Sequence, residues 1–110
     1  MKDLRDNGRI ILAYGEVTGH CHEVIADATG LPPDMAQAQY FEGKDGLREL
    51  IILEPCTLVH EEHGRIALDP AHPEQVRQGD VLLNPTGPGS YVMKLPDEWV
   101  GPEQWRSIAD

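Results

Sequence analysis

Basic and aromatic side chains are scarce in this chain. Nine Lys and Arg stand against nineteen Asp and Glu, a formal charge of −10. A surface of that sign repels phosphate backbones and anionic lipid, so neither nucleic acid nor a membrane surface is an expected partner. One Phe, three Tyr and two Trp are too few rings to build a base-stacking platform. Cysteine is nearly absent too. Cys21 and Cys56 are the only two, with no Cys-x-x-Cys. That excludes a disulfide scaffold, and a reducing cytosol keeps such residues as thiols. Long apolar runs are missing: Ile10 to Tyr14 and Leu50 to Leu53 fall far short of a bilayer span. Residues 1–9 are charged and have no apolar stretch of the secretory kind, so the expected location is cytoplasmic. Neither a glycine-rich nucleotide loop nor a Gly-x-Ser-x-Gly elbow occurs.

What is present is turn chemistry and β-formers. The 110 residues suffice for one domain, read as residues 1–110. A chain of this size buries about two thirds of its unfolded surface, enough for a core without staples. Eleven Gly and nine Pro interrupt short runs rich in Val, Ile, Leu, Tyr and Thr. That pattern predicts many short strands joined by turns. Strands are expected over 9–17, 20–27, 35–42, 47–53, 56–60, 65–68, 80–83 and 91–95. Gly43-Lys-Asp-Gly46 is a hairpin signal, and Thr18-Gly19 a turn. Residues 69–75, with two prolines, read as irregular. Pro102, beside Glu103, predicts one short helix over 101–110. The expected class is all-β: a small barrel, sandwich or double-stranded β-helix with a short C-terminal helix.

Histidine carries the chemistry. Four of the five histidines fall in two pairs, His20-Cys-His22 and His60-Glu-Glu-His63. Residues two apart on a strand share a face, so the strand over 20–27 presents His20 and His22 side by side. A spacing of three chelates only where the chain turns, which Glu61, Glu62 and Gly64 allow. Together the pairs form a candidate site of His20, His22, His60 and His63 for a divalent transition metal. Neutral imidazoles suit zinc first, and also nickel, iron or copper, over magnesium or calcium. Glu61 or Glu62 is a candidate hydrogen-bond partner of a ligand imidazole, or a general base on metal-bound water. Glu16 and Glu23 are further candidates. His72, between two prolines, is left out of the site.

Two resemblances attach to these residues. Gly15, His20-Cys-His22 and Asp27, then Gly79-Asp80 with Pro85-Thr-Gly87, resemble the two motifs of the cupins. That likeness implies a double-stranded β-helix and a metal held by His20, His22 and Asp27. Ser90 stands where cupins place their third histidine. Thr18-Gly-His20-Cys-His22, His60-Glu-Glu-His63 and Trp105-Arg-Ser-Ile-Ala-Asp110 are similar to blocks of small uncharacterised proteins of bacterial and phage genomes. The second resemblance implies that the two histidine blocks act as one unit.

Three functions remain open at this stage. One is a metal-binding β-domain with a four-histidine site. A second is a structural, self-assembling protein, since the edge strands of a small β-domain need cover and homo-oligomerisation provides it. The third is a cupin-type metalloenzyme acting on a small molecule.

Overall fold

A computed structural model of the chain describes residues 2–15, 20–43 and 46–94. Ten strands run through them: β1 (Lys2–Asp3), β2 (Ile10–Tyr14), β3 (Cys21–Ala26), β4 (Ala38–Glu42), β5 (Arg48–Ile52), β6 (Cys56–Val59), β7 (Ile66–Leu68), β8 (Val76–Gln78), β9 (Val81–Gly87) and β10 (Ser90–Lys94). All pairings are antiparallel. One sheet has the order β1-β4-β5-β10-β9-β8, the other β2-β3-β6-β7. The class is therefore all-β with two sheets, as the turn-and-strand pattern predicts. The helix expected over 101–110, which contains Trp105, lies outside the described residues. So does the turn at Thr18-Gly19. No helix among the described residues is long and apolar enough to cross a membrane.

The two sheets share one core. From the four-stranded sheet come Ile10, Leu12, Val24 and Leu58, and from the other Tyr40, Leu50, Leu83 and Tyr91. The alternation that puts them there is plain in β6, where Cys56 and Leu58 are buried and Thr57 and Val59 are half-buried. In β3 the inward positions are His22, Val24 and Ala26. Each buried aliphatic side chain contributes roughly 1.5–3 kcal/mol relative to exposure. In β2 the alternation fails, because the register against β3 shifts between Ile11 and Ala13. The bulge turns Leu12 and Ala13 both into the core.

The eight expected strands are all present, but two others escape the pattern. β1 is two residues long and exposed. β8 lies where the irregular stretch over 69–75 gives way, and its three residues alternate inward, outward, inward. β9 also runs through Pro85 to Gly87 rather than stopping at Leu83. Pro85 is tolerated because the register against β10 shifts between Ser90 and Tyr91, so the ladder is already interrupted there. At the hairpin, Gly89 has φ +74°, and a Cβ on it would lie 2.3 Å from the carbonyl oxygen of Ile52. Only glycine fits that approach.

Candidate metal centre

The register of β3 against β6 assembles the first part of the site. Val24 lies opposite Leu58 and Glu23 opposite Val59. Extending that register by one pair sets His60 opposite His22, on the inward face that Val24 and Leu58 also occupy. The two rings meet with centroids 4.3 Å apart. The chain then leaves the sheet through a turn at 61–64, which returns His63 to the same place. Its ring lies 4.7 Å from that of His60 and 5.7 Å from that of His22. His22, His60 and His63 each offer one donor atom within 4.8 Å of the others.

These rings are unusually sheltered. His22 is fully buried and His60 is 7 % exposed. The Nε2 atoms of all three are shielded from solvent, and that of His63 has no hydrogen-bond partner among the described residues. A buried imidazole nitrogen left in that state is costly unless something binds it.

Gln78 determines the state of His22. Its side-chain NH2 donates to the carbonyls of Leu58, at 3.1 Å, and Gly64, at 2.9 Å. Two acceptors on that side identify it as the nitrogen end of the amide, so Oε1 is the end facing His22. His22 Nδ1–H donates to Oε1 at 2.8 Å. The Nε2 of His22 therefore carries the lone pair, the form in which histidine binds a metal. His60 is arranged the other way. Its Nδ1 accepts the backbone N–H of Glu62 at 3.0 Å, which leaves its ring proton on Nε2. Of these two rings, His60 is the one that would have to adopt its other neutral tautomer, giving up the Glu62 hydrogen bond, to bind an ion through Nε2.

Backbone closes the remaining side. Gly79 follows Gln78 at the tip of the β8–β9 hairpin with φ +57°. A Cβ there would stand 2.8 Å from His63 Nε2 and 3.2 Å from His22 Cε1. The absent side chain leaves room for the imidazoles.

His20 sits apart from this set. It precedes β3 rather than lying on it, and its carbonyl accepts the N–H of Gly15 at 2.9 Å. The strand expected over 20–27 starts one residue later, so of this pair only His22 lies on it. His20 joins a second group, His20, His60 and Glu61, whose donor atoms also lie within 4.8 Å of one another. Its ring is 5.8 Å from that of His60.

The acids divide between these roles. Glu61 accepts the N–H of Cys21 at 3.2 Å, at the place in the ladder where β6 has already ended. Loss of some hydration pushes its carboxyl up. Its own backbone N–H, that of Cys21 and the two histidines outweigh this and hold it below the usual carboxylate range. The Glu62 carboxylate lies 3.5 Å from His20 Nδ1. Glu23 is occupied by Arg9, which donates to it at 2.7 and 3.0 Å. Glu16 lies outside the described residues. Asp27 accepts from the Thr57 hydroxyl at 2.6 Å at the far end of β3, away from His22. The cupin-like set of His20, His22 and Asp27 is thus not brought together.

Both cysteines are free thiols. Burial pushes the Cys21 thiol up, helped by Glu23 and Glu61. Burial likewise raises Cys56 to about 11. Neither is prepared as a thiolate ligand.

A family model described as a domain of unknown function (DUF8820) matches residues 2–72. The chain belongs to that family. The matched span includes both histidine blocks and ends before Gln78 and Gly79. No curated protein matches the chain, and no solved structure matches it.

Sequence reasoning named all the histidines of both groups and passed over Gln78. The sequence carried no clear signal for it, because β8 is only three residues long. In the structure Val76 and Gln78 both point inward, and an amide at an inward position calls for partners.

Proposed function

We propose that this protein binds a divalent transition-metal ion through His22, His60 and His63. The observation that supports it is the convergence of two buried imidazoles and one half-buried one, with His63 Nε2 lacking any other partner among the described residues. A tetrahedral zinc ion with bonds of about 2.0–2.1 Å sets its nitrogens about 3.3 Å apart. His63 sits on a turn, so rotation of its side chain closes the remaining gap. The donors are all nitrogen, which favours zinc, nickel, copper or iron(II) over magnesium or calcium. Zinc is the first choice, because it accepts this geometry without redox tuning.

The reading narrows the four-histidine expectation to three, with His20 in the neighbouring group. Three protein nitrogens leave a coordination position for water. An ion held there would act as a Lewis acid and lower the pKa of that water. Gln78 serves this function from outside the ligand set, by keeping the His22 lone pair directed at the ion.

Elemental analysis tests the proposal. Protein purified without chelator or nickel resin, then offered zinc and dialysed, is expected to hold about one ion per chain, and His63→Ala less than about 0.2. Unaltered protein that also stays below that level overturns the reading.

A further inference from the structure

The three-histidine set is enclosed, with His22 fully buried and His60 nearly so. An ion reaches it only past the side chains around it. Next to it lies the group of His20, His60 and Glu61. Its members are graded in exposure: Glu61 is exposed, His20 half-buried and His60 buried. The Glu61 carboxylate is not a loose surface acid, since the N–H of Cys21 holds one of its oxygens. Beside His60 and Glu61 is a pocket of about 230 Å³, lined also by Cys21, Glu23, Val59 and Arg65. At about 30 Å³ per water, six waters around an ion occupy roughly 180 Å³, so a hydrated ion fits.

Building on the metal binding argued above, we propose that His20, His60 and Glu61 form an outer metal position through which the ion passes to the inner set. His60 belongs to both groups, so one side chain lines both positions. Glu61 and His20 replace the first waters, and His60 joins them. His22 and His63 then displace Glu61 and His20. Each step exchanges one ligand for another, with no change in oxidation state. A mixed oxygen and nitrogen set suits capture of a hydrated ion, and an all-nitrogen set suits its retention. The charge of −10 concentrates cations at the surface where capture begins.

Rapid mixing of the metal-free full chain with cobalt(II), followed by the visible absorption of the bound ion, tests this. The variants are His20→Ala and Glu61→Gln. Glu74→Gln, exposed and outside both groups, controls for the loss of one negative charge. Uptake is expected to slow about tenfold or more in the first two and to stay within about twofold in the control. Final occupancy is expected to be the same in all. Equal rates in the three variants overturn the outer position and leave the inner set standing. Loss of final occupancy in His20→Ala also overturns it, by making His20 a permanent ligand. Absence of cobalt absorption in the unaltered protein overturns the metal-binding reading itself, and the outer position with it.

Discussion

Gln78 is the residue on which the state of His22 depends. It satisfies three polar groups at once: the carbonyls of Leu58 and Gly64 and the Nδ1–H of His22. Gln78→Leu keeps a similar volume and removes all three bonds. Each buried group left without a partner costs about 1–3 kcal/mol, so a lower urea midpoint is expected in the metal-free protein. Zinc affinity, read by calorimetric titration, is expected to fall about 10- to 100-fold as His22 loses its orientation. Unchanged affinity would show that the His22 tautomer does not matter to binding. The residue scale is also where the sequence was most informative about chemistry. His20, His22, His60 and His63 are chemically distinctive, and their pairing can be read without coordinates. Gln78 is not distinctive, and its role follows from which carbonyls happen to lie within reach.

Among elements, β3, β6 and the β8–β9 hairpin build the site. The alternation of β-formers and turn residues located β3 and β6 to within a residue or two. It could not supply their register, because pairing depends on contacts far apart in the chain. That register is what sets His60 opposite His22. His20 falls just before β3, which begins at Cys21. The hairpin from β8 to β9 was the least legible element, because three residues are too few to show a period. Its tip makes a specific claim. Gly79→Ala introduces a Cβ 2.8 Å from His63 Nε2 at a backbone position of φ +57°. The left-handed conformation alone costs about 1–2 kcal/mol for a residue with a Cβ. The expected result is a lower thermal midpoint together with weaker zinc binding, because His63 must move. A variant with unaltered zinc affinity would place His63 outside the ligand set.

On the scale of the whole molecule, two sheets enclose one core and leave the imidazoles at a place where both contribute. β3 and the β6–β7 turn supply the donors, and Gln78 and Gly79 close over them from the other sheet. Burial of acidic groups that must stay protonated gives the fold an alkaline limit. The Cys56 thiol is pushed up to about 11 by burial, with Asp27 and Glu54 adding to it. Tyr14 rises to about 12 through burial and its hydrogen bond to Asp6. Below the ordinary thiol range both the folded and the unfolded chain are protonated, and this part of the stability is intact. As pH rises from about 9 through 11 the unfolded chain ionises first, and the folded state loses ground. Urea midpoints at pH 7, 9 and 11 are expected to hold over the first interval and fall over the second. A midpoint that stays level up to pH 11 would contradict the assigned burial of Cys56.

The arrangement of nitrogen donors around a bound ion is tested most directly by X-ray absorption at the zinc edge of the loaded protein. Three imidazole nitrogens at about 2.0–2.1 Å, with one further light ligand, are the expected shell. A shell made of oxygens, with no imidazole scattering, would contradict the account.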